Sequence, residues 1–466
     1  FVALILVMVI ASCSPNSGSN QSGAGAAPAE CASDAFGCAK IAPGQTIKIG
    51  MGAPMTGGDA SFGIDISQGG RIAVTDAGEL EHFWSAGRRT VGPATEVRSG
   101  VSVYRFPVRR RLSQPLLFSG YRWGMAWLSS LPVNTTPLLR RLARFTPCVP
   151  EFEAFLSQAA AASFDIVHGA NITLDFMLAP ALAFARRHGR PFVVTPLTHP
   201  GAPGQKRVQR YYTMRQQLEI LRQADAVITL TTLERDFLAA CGVPRERMHT
   251  TGAGIDPAAV TGGDGRRFRQ RHHLDGPIVF SICTLAYDKG TMHTIEAMRR
   301  LWADGSPARL VLAGQALTPA RAYLERLPAD VQRRLLVLGP VDEDEKRDLL
   351  AAGDLLCLPS CTDSFGIVYL EAWANGLPVI GARAGGVPAV IADGLDGYLV
   401  DFGDVQGLAQ AIARLLEVAD LRREMGHRGQ AKVQRSMTWE HVLQRVQRVY
   451  EAVLGQHHGG WADPGR

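Results

Sequence analysis

From residue 164 onward, short apolar segments alternate with helical patterns. The apolar segments lie at 164–168, 191–196, 226–229, 278–282, 309–313, 335–338, 355–358 and 378–381. Helical patterns separate them, at 215–222, 233–241, 291–303, 344–352 and 368–374. Alternating strands and helices predict parallel sheets that are covered by helices on both faces. The fold class is therefore expected to be α/β.

The number of predicted strands fits two sheets better than one. The break between them falls at 252–257, where the run GAGIDP has the Gly and Pro content typical of chain crossings. In open α/β sheets, ligands bind at the carboxyl ends of the strands. Two facing sheets would therefore enclose one deep cleft, which is where a ligand is expected.

The composition excludes several classes of protein. The chain has 466 residues, of which 46% are hydrophobic and 20% charged, as in ordinary globular proteins with room for more than one core. The net charge of +6 is too mild for a nucleic-acid-binding surface, so no nucleic-acid partner is expected. The eight Cys are too few for a disulfide scaffold. Only six of the 49 basic residues are Lys, which makes each Lys a candidate for a specific role.

The first 30 residues have the pattern of an export signal. An apolar run at 1–10 leads into the letters IASC, which end at Cys13 and resemble a bacterial lipobox, and a polar linker of small residues follows. Cys13 would then carry a lipid. No charged region precedes the run, so the signal is expected to be truncated. The alternative is an apolar strand. Cys31 and Cys38 would pair in an exported segment and remain thiols in a cytosolic one.

Residues 31–80 contain a predicted strand at 47–51, a Gly-rich loop at 54–60 and a helix at 63–76. The run IKIGMGAPMTGGDASFGIDISQGGRIAVTDAG resembles the start of periplasmic binding proteins for branched-chain amino acids. That resemblance covers about 35 residues and implies a binding-protein-like fragment at 31–80.

After residue 80 the sequence becomes rich in Arg and poor in Lys. A strand pattern occupies 101–106, and the stretch at 116–131 combines Arg122 with four aromatic residues: Phe118, Tyr121, Trp123 and Trp127. Basic and aromatic side chains together favour contact with anionic lipid headgroups. The alternative is a solvated loop over a packed helix.

The segment at 362–376, TDSFGIVYLEAWANG, carries the clearest chemistry. It follows the strand at 355–358 and runs into a helix, whose first N–H groups would bind a phosphate. The residues that would form this helix start are Ser364, Phe365, Gly366, Ile367 and Val368. Asp363 and Glu371 could accept hydrogen bonds from sugar hydroxyls on either side. The alternative is that Asp363 is an N-cap and Glu371 a surface acid.

This segment resembles the acid–seven–Glu signature of retaining family 4 glycosyltransferases. Other segments match the family in the same order along residues 96–454: FDIVH at 164–168, VTPLTH at 194–199, DKG at 288–290, GPV at 339–341, AGGVP at 384–388 and the final helix at 436–454. The resemblance implies the GT-B fold, with two facing Rossmann-like lobes. The acceptor lobe would be 86–255, the nucleotide-sugar donor lobe 256–435, and a helix at 436–456 would cross back to the first lobe.

The resemblance also implies roles for the site residues. His199 would line the junction between donor and acceptor, Asp363 would bind the sugar, and Glu371 the ribose. Lys289 and the helix start at 364–368 would meet the diphosphate, whose charge grows as the bond breaks. The backbone of Gly339 and Val341 would contact the base. His168 would contact substrate, or else be a buried histidine at a strand end.

Three features depart from the family pattern. Thr284 stands where an Arg is usual, and Asp363 stands where a Glu is usual. The first strand, acceptor loop and helix should precede residue 96 and are missing, so the acceptor lobe is expected to be incomplete. Either two unrelated genes are joined, or the fragment at 46–80 replaces the missing unit.

The run Asp342-Glu343-Asp344 looks like a metal-binding pair but is interpreted as the acidic first turn of a helix. No metal is therefore expected. No cofactor is expected either, because the nucleotide sugar is a substrate.

The expected activity is transfer of a hexose from a nucleotide-sugar donor to a sugar or lipid-linked acceptor, with retention of configuration. The expected place is the cytoplasm, peripheral at the inner membrane face, and the lipobox ending at Cys13 conflicts with it. One rival is a lipid-anchored periplasmic amino-acid-binding fragment fused to an inactive transferase. The other is a different GT-B enzyme, a sugar phosphorylase or a nucleotide-sugar epimerase.

Overall fold

The computed structural model describes residues 8–9, 71–75, 95–98, 101–112, 115–159, 164–204 and 206–459. Two sheets flanked by helices form two lobes. The strands of the second sheet run parallel to their neighbours, and the four strands from β5 (Val167–Ala170) onward in the first sheet run parallel to one another. This arrangement confirms the predicted α/β class with two parallel-sheet lobes.

The first lobe has an eight-stranded sheet in the order β3-β4-β2-β1-β5-β6-β7-β8. Its strands are β1 Met8–Val9, β2 Arg71–Thr75, β3 Thr95–Arg98, β4 Val101–Phe106, β5 Val167–Ala170, β6 Phe192–Thr195, β7 Ala226–Thr229 and β8 Met248–Thr250. Its helices are α1 Pro115–Ser130, α2 Thr136–Ala143, α3 Pro150–Gln158, α4 Asp175–Arg187, α5 Lys206–Arg210, α6 Arg215–Gln223 and α7 Thr232–Ala240.

The strand β2 corrects the helix that was predicted at 63–76. Its residues, RIAVT, include three β-branched side chains, which favour an extended backbone, and the strand pairs in parallel with β4. It lies between β1 and β4 in the sheet and belongs to the fragment at 46–80. The rest of that fragment, including the predicted loop at 54–60, lies outside the described residues.

The apolar run at the start of the chain is described only at β1. Met8–Val9 pairs antiparallel with both β2 and β5, which corresponds to the strand alternative for this run. Cys13, Cys31 and Cys38 lie outside the described residues. The lipobox, the disulfide, the binding-protein fragment and the gene fusion therefore stay predictions.

The second lobe has a six-stranded sheet in the order β11-β10-β9-β12-β13-β14. Its strands are β9 Ile278–Ile282, β10 Arg309–Ala313, β11 Leu335–Gly339, β12 Leu355–Leu358, β13 Val379–Ala382 and β14 Gly397–Val400. Its helices are α8 Pro257–Val260, α9 Gly265–Arg271, α10 Thr291–Ala303, α11 Thr318–Glu325, α12 Ala329–Gln332, α13 Glu343–Ala352, α14 Ile367–Ala374, α15 Val405–Glu417 and α16 Ala419–Ser436.

The final helix, α17 (Trp439–Gly459), returns to the first lobe. Val442, Val446 and Tyr450 on one side of it join a buried cluster with first-sheet residues such as Ile166 and Val193. The outgoing and returning chains run side by side between the lobes. The amide of Ile255 donates to the carbonyl of Met437 at 3.1 Å, and the amide of Trp439 donates to the carbonyl of Ile255 at 3.0 Å.

None of the helices in the described part of the chain is both long and apolar enough to cross a bilayer.

Candidate active site in the cleft between the lobes

A buried ion pair lies where strands of the second sheet end. Lys289 follows β9 and Asp363 follows β12, and these strands are parallel neighbours whose carboxyl ends share one edge of the sheet. The Lys289 Nζ donates to Asp363 Oδ1 at 2.8 Å, and Lys289 is only 7% exposed. The structure therefore brings together two of the residues that the sequence assigned to the donor site.

The loops that carry this pair are fastened to each other. The carboxylate of Asp288 accepts a hydrogen bond from the Thr362 hydroxyl at 2.7 Å, and its carbonyl accepts one from the Cys361 amide at 2.8 Å. A Cβ at Gly290 would collide with the carbonyl of Pro359. Close contact between the two backbones therefore fixes the spacing of Lys289 and Asp363.

The helix α14 begins directly after the pair. Gly366 is its N-cap, has a left-handed φ of 84° and offers no side-chain cap. Any Cβ at Gly366 would also meet the ring of Tyr369, whose hydroxyl is held by the Leu358 carbonyl at 2.6 Å. The predicted helix start is present at the carboxyl end of β12. Ser364, Ile367 and Val368 are partly buried there, whereas the Phe365 side chain packs into the lobe core.

His199 approaches this site from the first lobe. Its ring packs edge-on against Tyr212, with 4.9 Å between ring centroids. Burial, and to a smaller extent the positive charge of Lys289, lower the pKa of His199 to about 3, opposed by the Asp363 carboxylate. The imidazole is therefore neutral at neutral pH. The Gly385 amide donates to the Gly201 carbonyl at 2.9 Å, and the next amide, that of Gly386, donates to the Asp363 carbonyl at 2.8 Å. These bonds place the first-lobe loop that carries His199 beside Asp363 and its partner Lys289.

The charges of the ion pair stabilise each other. Burial disfavours the charged form of Lys289, but the nearby Asp363 carboxylate outweighs that effect and raises its pKa. Burial likewise opposes ionisation of Asp363, and Lys289 outweighs it, so the pKa of this carboxyl lies below its usual range. Both groups are therefore charged at neutral pH, which leaves a fixed cation and a fixed anion at the start of α14.

Glu371 lies in the second turn of α14 and is not a surface acid. It is 7% exposed, and its Oε1 accepts a hydrogen bond from Lys346 of α13 at 3.1 Å. Lys346 is itself 7% exposed and also pairs with Glu343 at 2.9 Å. Burial opposes the charge on Lys346, but the two carboxylates outweigh it and raise its pKa.

The ends of two further strands, β10 and β11, meet the end of β9 beside the ion pair. The Gly314 amide after β10 donates to the Gly339 carbonyl at 2.6 Å, and the Cys283 amide after β9 donates to the Ala313 carbonyl at 3.0 Å. Thr284 follows Cys283 and is partly buried, as is Val341, which packs against the lobe core. The structure thus places Thr284, Gly339 and Val341 along the same edge as Lys289.

His168 has the core role that the sequence left open as its alternative. The ring is 4% exposed, with Nδ1 at 2.6 Å from the Tyr450 hydroxyl and Nε2 at 2.8 Å from the Thr195 hydroxyl. Burial lowers its pKa to about 3. Both ring nitrogens have partners within the protein, so His168 joins α17 to the first sheet and is not grouped with His199.

The acidic run at 342–344 begins a helix, as its interpretation predicted. Asp342 is the N-cap of α13, and its carboxylate accepts the Glu345 amide at 2.8 Å. Within the described residues, no three His, Cys, Asp or Glu side chains are grouped as metal ligands.

Sequence reasoning missed three residues that shape this site. Lys346 is one of only six lysines, which could have marked it as a candidate. It follows three acidic residues, however, and such a run is typical of a solvent-exposed helix start. Asp288 was seen only as part of a motif. Glu234 had no signal in the sequence, because its two backbone partners, Thr198 and Leu230, lie on different loops.

Two family models match the chain in these two lobes. Residues 76–254 match the model described as "Glycosyl transferase 4-like domain", and residues 264–432 match "Glycosyl transferases group 1". These two segments belong to the glycosyltransferases.

Curated relatives agree with this family. The glycosyltransferase chain is 30% identical to D-inositol 3-phosphate glycosyltransferase of Acidothermus cellulolyticus over 252 residues, 51% of this chain and 55% of the relative. It is 32% identical to alpha-D-kanosaminyltransferase of Streptomyces kanamyceticus over 212 residues, 44% and 54% of the two chains. The matches span about half the length of these relatives.

Solved structures agree on the fold of the glycosyltransferase chain. Sucrose-phosphate synthase from Thermosynechococcus elongatus is 20% identical, with a TM-score of 0.60 over 78% of this chain and 87% of that one. Anabaena Alr3699/HepE in complex with UDP and glucose is 19% identical, with a TM-score of 0.59 over 76% and 87%. These likenesses show the two-lobed GT-B fold.

The pairing of Lys346 with Glu371 predicts strongly non-additive mutations. K346M leaves the Glu371 carboxylate in a site with little water and should lower the free energy of unfolding by about 3–5 kcal/mol. E371Q in the K346M background removes that charge, so the double variant should be more stable than K346M alone. Urea denaturation of the wild type, both single variants and the double variant gives the coupling energy. Additive effects would contradict the pairing.

Proposed function

We propose that this protein transfers a hexose from a nucleotide-sugar donor to a sugar or lipid-linked acceptor, with retention of anomeric configuration. The observation that carries the proposal is the Lys289–Asp363 ion pair at the start of α14, which faces His199 of the other lobe. The names of the relatives support glycosyl transfer, and HepE has been solved with UDP and with UDP-glucose.

The donor's diphosphate is proposed to bind at Lys289 and the first amides of α14. Departure of the sugar leaves negative charge on the diphosphate, and fixed positive groups stabilise that charge without reorganising. Lys289 supplies a full charge, and the helix start supplies a dipole of about half a charge. No metal or cofactor is required in this proposal. Thr284 lacks the charge of the usual Arg, so phosphate binding is expected to be weaker than in the family.

The sugar and the nucleoside are proposed to bind on either side of the diphosphate. Asp363 accepts hydrogen bonds from the sugar hydroxyls, and neutral His199 contacts the sugar where donor and acceptor meet. Glu371, held by Lys346, accepts from the ribose hydroxyls. The backbone of Gly339 and Val341 contacts the base. The acceptor then occupies the first-lobe side of the cleft.

Nucleotide binding is the first test, with the full chain and UDP, GDP, ADP or leucine added separately. One nucleotide should raise the unfolding temperature, because a ligand at about 100 times its Kd adds roughly 2.7 kcal/mol. K289M should weaken that nucleotide's binding about 10- to 100-fold, and K206M, which changes an exposed lysine, should leave it unchanged. A shift with leucine alone would instead favour the binding-protein rival.

Retention is tested on the product of the nucleotide sugar whose nucleotide gives the shift. NMR of the anomeric proton of the newly formed product should show the same configuration as the donor. An inverted product would contradict the mechanism. Turnover that requires free phosphate would identify a phosphorylase, and conversion of the donor without any acceptor would identify an epimerase. EDTA should leave the rate unchanged.

The helix α1 is proposed to rest on an anionic membrane at the inner, cytoplasmic face. Seven of the twelve exposed large hydrophobic residues of the described chain fall between 116 and 145: Leu116, Leu117, Trp123, Trp127, Val133, Leu138 and Phe145. Residues 101–150 contain eight Arg and no Asp or Glu. Four of these Arg pair with carboxylates from outside the stretch: Arg109 with Glu151, Arg122 with Asp175, Arg140 with Glu219 and Arg144 with Glu153. The exposed apolar side chains and the exposed Arg111 and Arg141 are proposed to meet anionic headgroups over an acyl core.

Membrane contact predicts a lipid-selective loss on mutation. The W123A/W127A variant should lose most of its binding to vesicles that contain phosphatidylglycerol, as measured by co-sedimentation. The L395A/V418A variant removes two exposed apolar side chains of the second lobe and should bind as the wild type does. Equal binding to neutral phosphatidylcholine vesicles, or no effect of W123A/W127A, would contradict a role for α1.

A further inference from the structure

Glu234 is a buried carboxylate that joins two loops of the first lobe. It lies in the first turn of α7 and is 0% exposed. Its Oε1 accepts the Thr198 amide at 2.6 Å, and its Oε2 accepts the Leu230 amide at 2.8 Å. No ion pair to Glu234 occurs among the described residues, so its charge is met by backbone N–H groups.

Both of these loops reach the second lobe. Leu197 and Leu230 pack against the cluster that contains Phe365 and Tyr369. The Gly201 carbonyl accepts the Gly385 amide of the second lobe at 2.9 Å. The stretch at 197–202 is thus held by Glu234 at its root and by the donor lobe at its tip, with His199 between the two points.

The root of this stretch has a conformation that its sequence does not favour. Leu197 has a φ of 53°, in the left-handed region that a side chain like Leu rarely adopts. The bond from Glu234 falls on the very next amide, that of Thr198, which is 0% exposed. The Ile172 amide holds the Pro196 carbonyl on the other side of Leu197 at 2.9 Å. Loss of the Glu234 bond would free the amide that follows Leu197, and relaxation of Leu197 to an ordinary backbone would then move His199.

We infer that Glu234 is a positioning residue for glycosyl transfer, which holds the 197–202 stretch so that His199 faces the Lys289–Asp363 pair. This inference rests on the proposed function of the cleft. The role needs both oxygens of an ionised carboxylate, because each accepts from a different loop. A Gln offers one acceptor and would point its NH₂ group at the other amide.

Ionisation of Glu234 does not stabilise the folded protein. Burial raises the pKa of Glu234 to about 7, opposed by its bonds to Leu230 and Thr198. A carboxyl whose pKa is higher in the folded than in the unfolded state stabilises the fold most when it is protonated. That contribution is lost as pH rises from its usual pKa through 7. The ionised form of Glu234 therefore lowers the stability of the fold. We attribute its presence to the two loops that it holds in place.

The test compares E234Q and E234D with D236N in the full-length protein. Glu234 and Asp236 lie on the same helix, but Asp236 is exposed and pairs only with Arg235 and Arg245 among the described residues. Hydrogen exchange by mass spectrometry follows the peptide that contains Thr198. E234Q should speed exchange of that peptide at least about tenfold, and D236N should not. E234D keeps the charge but shortens the side chain by one methylene, so it should speed exchange of the same peptide by a smaller factor. It serves as the test variant if E234Q does not fold.

Turnover separates positioning from a merely structural role. With UDP-glucose as the probe, E234Q should lower kcat about 10- to 100-fold and leave KM within about twofold, because every proposed donor contact except that of His199 lies in the other lobe. The stabilisation by UDP should also be unchanged. Unaltered exchange at Thr198, or unaltered kcat with faster exchange, would overturn the inference. A wild type that neither binds nor turns over nucleotide sugars would instead overturn the proposed function, while the exchange result still decides whether Glu234 holds the loop.

Discussion

Everything in the cleft depends on two opposite charges, Lys289 and Asp363, being held together away from water. Removing charges from water is expensive, and their attraction compensates only when the geometry is good. The protein supplies that geometry through its backbone. The hydrogen bonds of Asp288 and the close approach at Gly290 tie the two loops together, so the cation and the anion stay in contact before any ligand arrives. The helix start and His199 are then arranged around a charge pattern that is already fixed.

Local sequence predicted five of the six second-lobe strands, because most of them are short, largely buried and separated by regular helices. Its donor-site residues could be recognised because they follow strand ends, which parallel pairing brings to one edge. Partners between distant segments could not be predicted. The bonds of His168 to Tyr450 and of Glu371 to Lys346 depend on how α17 and α13 are packed. The strand β2 was misread as a helix although its three β-branched residues favour an extended backbone, and its pairing with β4 could not be predicted from the local sequence.

The scarcity of lysine is reflected in where three of the six lie. Lys289, Lys346 and Lys432 all pair with carboxylates inside the second lobe, the last with Asp396 at 2.8 Å. Arginine covers most of the exposed basic surface, and near α1 it forms its ion pairs at or close to that surface, as Arg140 does with Glu219 and Arg144 with Glu153. Lysine thus serves largely in compact pairs inside the second lobe, and arginine on the exposed surface. This division suits a guanidinium, which is more weakly hydrated and binds flat anionic groups through several donors.

The paired chains between the lobes limit how the cleft can open. Ile255 on the outgoing chain is bonded to Met437 and Trp439 on the returning one, so the two crossing segments are tied together at one residue. Moving one crossing segment without the other would break those two bonds. An opening of the cleft that keeps them must therefore bend both segments together as a single hinge.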